Sequence, residues 1–277
     1  MTTPPAIPFE KMHGSGNDFI VIDHEMLADV VDDLPAFVQA VCRRGTSIGA
    51  DGVIVIGPSD KSDFNWHYIN ADGSDGDMCG NGAMVGARYA VNHQLAGNRC
   101  AFTTPAGTVE AEVEGERVSL RMMDAHQIGA TLHFDALKRI EFDHYMLGVP
   151  HVVGFVDDAD AIESLETIGR AIRLDPQLQP LGANVNLVHK LDETTIRMRT
   201  YERGVEAETL ACGTGAVCSA IAATRRGMVQ QPVNVRVSSG MTLTVSWRDD
   251  GARATDIRLA GTARTVASGT ILPDALR

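Results

Sequence analysis

The chain has 277 residues, 44% hydrophobic and 22% charged, with 36 acidic against 24 basic side chains. That length suits one large or two modest domains of ~100–200 residues, with a core that needs no disulfide or metal staple. A net charge of −12 excludes a basic nucleic-acid face and docking on anionic lipid, and 5% aromatic content offers little for base stacking. No run of ~18 apolar residues is present, so no membrane span is expected. The opening MTTPPAIPFEKMHGSGNDF lacks the apolar stretch of a signal peptide. Five cysteines, few and odd in number, fit a reducing cytosol better than a disulfide scaffold.

The pattern predicts mostly strands. In chain order, short β-branched or alternating runs bounded by turn residues occupy Phe19–Ile22, Gly52–Ile56, Phe64–Ile69, Thr108–Val113 and Val118–Met122. They recur at Val152–Val156, Val185–His189, Thr195–Thr200, Val233–Val237 and Thr242–Trp247. Amphipathic helices are predicted over Leu34–Arg44 and Ala159–Ile172, the second opening on the acidic run Asp157–Asp160. Two further helices, Ala83–Val91 and Ala216–Ala223, are small or apolar on nearly every face and are expected to be buried all round. The second ends in Arg225-Arg226-Gly227, cations in the last turn and then a C-cap glycine. The picture is a sheet curled around a central helix, twice.

An internal repeat supports that reading. Cys79-Gly-Asn-Gly-Ala-Met-Val and Cys212-Gly-Thr-Gly-Ala-Val-Cys match. Twenty-eight residues before each cysteine stand Asp51 and Asn184, and 28 after stand Gly107 and Gly240, each ahead of a strand-like run. Asn17 lies 62 residues before Cys79, and Val149 lies 63 before Cys212. Nine residues before each cysteine come Asn70 and Arg203. Four ordered landmarks imply two similar domains, with the change between them near Met123–Thr131 and the last residues returning to the first.

Each of the two cysteines stands where an irregular segment becomes a buried helix. The positive end of the helix dipole lowers a thiol pKa, to roughly 3.5–7.5 in favourable cases. The following glycines let backbone N–H groups approach an anion closely. Two such halves facing each other would flank one carboxylate with a thiolate and a thiol. That suits inversion at the carbon next to a carboxylate, one sulfur removing the proton and the other delivering one to the opposite face. No aldehyde cofactor is implied. Cys42, Cys100 and Cys218 read as small buried hydrophobes. Gly45-Thr-Ser-Ile-Gly49 has helix before and strand after, the reverse of a nucleophile elbow. Gly14-Ser-Gly16 lacks the third glycine of a dinucleotide site. The nine histidines show no metal-ligand spacing, and His13 and His151 read as packing or turn residues.

At His13-Gly-Ser-Gly-Asn-Asp-Phe, Asn70-Ala-Asp-Gly-Ser, Met78-Cys-Gly-Asn-Gly, Tyr201-Glu-Arg-Gly and Ala211-Cys-Gly-Thr-Gly, the sequence resembles the diaminopimelate epimerases. These are PLP-independent enzymes that interconvert LL- and meso-diaminopimelate for lysine and peptidoglycan supply. The resemblance covers nearly the whole chain. Asn81 favours this branch over the proline racemases, which usually carry His there. The implied fold is α/β (α+β): two pseudosymmetric domains, each a curved, mostly antiparallel sheet wrapped around a central helix. The halves are expected at 1–125, with 264–277 returning to it, and at 126–263.

The resemblance implies Cys79 and Cys212 as the acid–base pair. It implies Gly80, Asn81, Gly213 and Thr214 as the carboxylate cradle, and Asn17, Asn70, Asn184, Glu202 and Arg203 as substrate binders. It implies no cofactor and no metal, an amino-acid substrate, and a homodimer. A guanidinium fork such as Arg203 suits the second carboxylate of a two-headed substrate. Three features depart from the usual pattern. Val149 stands before Pro150-His151 where most members carry Asn, and valine can neither donate nor accept. Met84 stands where Arg is common. Glu202 to Cys212 spans ten residues, one more than in many members, so the segment Val205–Thr209 is expected to be reshaped. Two alternatives stay open: a racemase of another amino acid, such as histidine or a proline derivative, and a non-catalytic thiol–disulfide switch.

Overall fold

The computed structural model describes residues 6–28, 30–76 and 78–277. The first five residues, on which the leader expectation partly rests, lie outside the described residues. Two compact units emerge: one runs to Leu120 and is completed by Gly261–Arg277, and the other is Arg121–Ala260. No helix among the described residues is long and apolar enough to cross a membrane.

The first unit runs β1 (Ile7–Gly14), β2 (Asn17–Asp23), α1 (Leu34–Cys42), β3 (Gly52–Gly57), β4 (Phe64–Asn70), β5 (Asp75–Gly76), α2 (Gly80–Asn92), β6 (Arg99–Thr104), β7 (Gly107–Glu114) and β8 (Arg117–Arg121). Strand β1 turns into β2 through Ser15 and Gly16, both at positive φ, as a tight two-residue hairpin requires. Strands β2 and β3 are parallel, as are β4 and β6. Each parallel pair needs a long crossover, and α1 and α2 supply them. The Asp33 carboxylate caps α1 by accepting from the Ala36 N–H at 3.0 Å.

Strand β3 is buried on both faces, which is why its sequence reads as an unbroken apolar run. Val53 and Val55 pack with Phe37, Val38 and Val41 of α1. Ile54 and Ile56, on the alternate face, lie against Gly82 and Gly86 of α2. Helix α2 buries nine of its residues, and five of them are glycine or alanine, which lets it run inside the curved sheet. A Cβ on Gly86 would sit 2.6 Å from the Trp66 ring.

The second unit runs β9 (Ala125–Gln127), β10 (Leu132–His133), β11 (Glu141–Leu147), β12 (Val149–Phe155), α3 (Leu165–Arg173), β13 (Asn184–Lys190), β14 (Thr195–Glu202), β15 (Ala207–Thr209), α4 (Gly213–Arg225), β16 (Val233–Arg236), β17 (Thr242–Asp249) and the part of β18 (Arg253–Ile271) up to Ala260, the rest of β18 belonging to the first unit. Its pairings repeat those of the first: β11/β12 antiparallel, β12/β13 parallel, β13/β14 antiparallel, β14/β16 parallel and β16/β17 antiparallel. Strand β18 pairs with β17 up to Ala260 and with β1 from Ala263 onward. Gly227, at positive φ, closes α4 as its sequence indicated, with the Met228 N–H reaching the Ala223 carbonyl at 2.9 Å.

Register corrects the spacing argument. Phe19 lies opposite Gly52 in the parallel pair β2/β3, and His151 lies opposite Asn184 in β12/β13. Gly52 faces Asn70, and Val185 faces Tyr201. The structural counterpart of Asn184 is therefore Gly52, not Asp51, and that of Asn70 is Glu202, not Arg203. The additional residue of the second unit falls in the turn 203–206. Ala207–Thr209, expected as part of a reshaped loop, forms β15 against β14.

Helix α3 begins six residues later than expected. The Asp158 carboxylate accepts from the Asp160 N–H at 2.9 Å, the His189 Nδ1 accepts from the Ala159 N–H at 2.9 Å, and Asp160 pairs with Arg197. These side-chain bonds give the backbone an alternative to helix, so Asp157–Asp160 is a turn. Both central helices begin three residues earlier than read, directly after Cys79 and Cys212.

Gly86→Ala sets an overpacking cost of ~1–3 kcal/mol against a helix-propensity gain of ~1 kcal/mol. Because the clash is with a rigid buried ring, we expect net destabilisation of about 1 kcal/mol, seen as a lowered urea midpoint at unchanged m-value.

Candidate active site

Cys79 is the N-cap of α2 and Cys212 the N-cap of α4, both with extended backbone. Each carbonyl accepts the first helical bond, from Ala83 at 2.7 Å and Ala216 at 2.9 Å. The Cys79 Sγ accepts from the Gly82 N–H at 3.4 Å, and the Cys212 Sγ lies 3.6 Å from the Thr214 hydroxyl. Cys79 is half-buried and Cys212 is 5% exposed. The N–H groups of the first turns at Gly80–Asn81 and Gly213–Thr214 point out of the helix ends, where anions bind.

In the first unit the structure gathers Asn17, Asn81 and Asp51. The Asn17 Oδ1 accepts from Asn81 Nδ2 at 2.6 Å, and the Asn17 Nδ2 donates to Asp51 Oδ2 at 3.2 Å. Asp51 Oδ1 accepts from Arg44 at 2.8 Å. Arg44 also reaches Asp18 at 2.5 Å, and Lys11 pairs with Asp18 at 2.6 Å. Burial pushes the Asp18 carboxyl up, but its bonds to Arg44 and Lys11 hold it below the usual range. Gly14 backs directly on this group, since a Cβ there would sit 2.4 Å from the Asn81 carbonyl oxygen. Asn70 ends β4 and donates to the Ser74 hydroxyl at 3.1 Å across a tight turn.

In the second unit the structure gathers Asn184, Glu202 and Arg203 at the ends of β13 and β14. The Asn184 Oδ1 accepts from the Arg203 N–H at 2.7 Å. Arg203 Nη1 donates to the Leu181 carbonyl at 3.2 Å, and Glu202 accepts from the Thr209 hydroxyl at 2.7 Å. Burial pushes the Glu202 carboxyl up, and the Thr209 bond pulls it partly back. Behind Asn184 lies His151, fully buried, whose ring falls to about 3 through burial and then the Arg203 charge. Among the described residues no group of three or more His, Cys, Asp or Glu is placed to hold a metal.

The remaining cysteines differ from the N-caps. Burial pushes the Cys42 and Cys100 thiols up to about 11 and the Cys218 thiol well above the usual thiol range. Met84 is buried within α2, and Val149 opens β12. Sequence reasoning missed the supports behind the candidate binders: Asp51 with Arg44 in one unit, and His151 with Asn186 and Thr200 in the other. One signal was available, two asparagines spaced by two inside the apolar run of β13.

Solved structures share this fold. A hydroxyproline epimerase from Agrobacterium vitis, with bound trans-4-OH-L-proline, superposes with TM-score 0.70 at 14% identity, covering 97% of this chain and 93% of that one. A phenazine biosynthesis protein of the PhzF family from Bacillus anthracis gives 0.69 at 17% identity, covering 97% and 99%. The family model described as diaminopimelate epimerase matches residues 9–128 and 144–266. The diaminopimelate epimerase of Aquifex aeolicus is 40% identical over 280 residues, 97% of this chain and 99% of that protein. That of Archaeoglobus fulgidus is 40% identical over 288 residues, 98% of each. The chain belongs to the diaminopimelate epimerase family, a family of isomerases.

Thiols near 11 are only ~0.1% thiolate at pH 8. Brief iodoacetamide treatment of the native protein at pH 8 should alkylate Cys79 first and leave Cys42, Cys100 and Cys218 unmodified. Peptide mass mapping reads the order.

Proposed function

We propose that the chain interconverts LL- and meso-diaminopimelate without a cofactor, through a two-cysteine acid–base mechanism in the cytosol, supplying lysine and peptidoglycan precursors. The observation that supports this best is the position of Cys79 and Cys212 as N-caps of two equivalent central helices, in a chain of this family. One cysteine, as thiolate, takes the α-proton. The other, as thiol, gives its proton to the opposite face, so the two exchange protonation states in each turnover. The reaction requires both sulfurs to reach one carbon. The charge that develops on the carboxylate is stabilised by the N–H groups of Gly80, Asn81, Gly213 and Thr214, each well-placed donor contributing ~3–4 kcal/mol. Asn17, Asn70, Asn184, Glu202 and Arg203 hold the substrate, with Arg203 as the fork for the second carboxylate and Glu202 as acceptor for the second ammonium. The working form is proposed to be a homodimer.

Val149 favours a second reading, a racemase of another amino acid such as histidine or a proline derivative, because one amide donor usual in the family is missing. Turnover in D₂O decides between the two. Deuterium entering Cα of diaminopimelate supports the first reading. Deuterium entering only a single-headed amino acid supports the second. No incorporation into any of the panel rejects both and leaves a thiol–disulfide switch.

Cys79→Ala and Cys212→Ala should each lower kcat by roughly 10²–10⁴-fold or more, the usual range for a lost proton-transfer group. Near-normal turnover by either variant rejects the two-base scheme. Mild oxidation should join Cys79 to Cys212 and stop turnover. Peptide mapping of the oxidised, inactive protein tests for that link.

A further inference from the structure

The two units place different side chains at four matched positions on the sheet face that packs on the central helix. In the first unit these are Phe19, Gly52, Ile54 and Tyr68. In the second they are His151, Asn184, Asn186 and Thr200, by the registers given above. The first set packs as an apolar filling: the Phe19 and Tyr68 rings meet edge to face at 5.7 Å, and the Tyr68 ring takes the space a Cβ on Gly52 would need. The second set is polar and almost wholly buried, with His151 and Asn186 at 0%, Thr200 at 1% and Asn184 at 3% exposure. The scaffold therefore tolerates an apolar filling, and burying four polar side chains costs stability unless each is hydrogen-bonded. The second unit instead buries a polar set whose members bond one another, an arrangement the fold alone does not require.

Its bonds converge on Asn184. The Asn184 Oδ1 is held by the Arg203 N–H at 2.7 Å, which turns its Nδ2 toward His151 Nε2 at 3.4 Å. On the other side of the ring, Asn186 Nδ2 lies 3.3 Å from His151 Nδ1 and also donates to the Val152 carbonyl at 3.1 Å, and Asn186 Oδ1 accepts from the Thr200 hydroxyl at 2.9 Å. A neutral imidazole has one lone pair for two amides. In either tautomer Asn186 keeps one N–H on the Val152 carbonyl, whereas among the described residues Asn184 Nδ2 meets no protein acceptor but His151, so the lone pair is assigned to Nε2 and the proton to Nδ1.

We propose that His151 is a positioning residue: its Nε2 accepts from Asn184 and, braced by Asn186 and Thr200, fixes the Asn184 amide with one N–H left to donate to the substrate. This rests on the reading of Asn184 as a substrate binder. A pinned donor suits a carboxylate or carbonyl oxygen and not an ammonium.

Two measurements test it. The first needs no substrate: ¹⁵N-detected histidine NMR of the wild-type protein between pH 6 and 8 should show His151 neutral, protonated on Nδ1 and bare on Nε2. The opposite tautomer would give the lone pair to Asn186 and overturn the proposal. The second is a double-mutant cycle built from the first unit's own residues, His151→Phe and Asn184→Gly, assayed with whichever amino acid takes up solvent deuterium. His151→Phe alone should lower kcat/KM by about 10–100-fold, as misplaced binding groups do, mostly through KM. In the Asn184→Gly background the same change should cost less than about twofold. An undiminished loss in that background, or a normal kcat/KM for His151→Phe, refutes the positioning role. If neither variant folds, the tautomer decides alone. Absence of diaminopimelate turnover would reject the proposed substrate and leave the tautomer result standing.

Discussion

The structure depends on one close approach repeated in each unit, the N-terminus of a buried helix pressed against the inner face of a curved sheet. The helix axis can come that near only where side chains are missing. Gly14 meets the Asn81 carbonyl, Gly86 meets Trp66, and Gly215 meets Asn186, each at distances where a Cβ would overlap its neighbour. Larger residues would push the helix off the sheet and take the N-cap cysteine with it. In Cys-Gly-Thr-Gly the constraint falls within the motif itself: Gly213 meets Leu259 and Gly215 meets Asn186, so these two glycines set the depth at which the Cys212 sulfur sits.

One scaffold carries two different fillings. In the first unit the polar support comes from charge outside the apolar face: Asp51 orients Asn17, Asn17 holds Asn81, and Arg44 with Lys11 balances Asp18 and Asp51. Arg44 is solvent-exposed, so its ion pairs are partly screened and contribute little stability; their effect is on side-chain direction. In the second unit the support is neutral and dry, a histidine between two asparagines. Both arrangements end in the same way. An asparagine has its carbonyl oxygen accepting from a protein N–H and one N–H of its own already committed, Asn17 between Asn81 and Asp51, Asn184 between Arg203 and His151.

Much of this was legible in the sequence because the signals were local. The all-round apolar runs after Cys79 and Cys212 mark buried helices, and Gly227 marks the end of one. The pairing of repeats by counting was less secure. A count from the cysteine cannot see where an extra residue lies, and the turn 203–206 shifted two of the matched positions by one. Strands β1, β6, β11 and β18 escaped notice because their outward positions carry charged or small polar residues, and the stretch of β18 from Arg264 to Thr270 is exposed throughout. The supports of the site were invisible for a different reason. Contacts such as Asn17 with Asn81, 64 residues apart, follow from strand register, which no short window contains.

The matched positions also bear on substrate size. Where the first unit has Asn70 and Ala71, the second has Glu202 and Arg203. A single-headed amino acid offers one carboxylate and one amine, for which the proposed cradle would suffice. It would leave a half-buried carboxylate and a guanidinium with no counterpart on the substrate. Thr209 satisfies only one oxygen of Glu202, and Leu181 takes one N–H of Arg203. In the proposed function, a substrate carrying a second carboxylate and a second ammonium would complete both. On the proposed reading, an unmatched carboxylate at Glu202 and an unmatched guanidinium at Arg203 weigh more against a single-headed substrate than the amide donor missing at Val149 weighs for one.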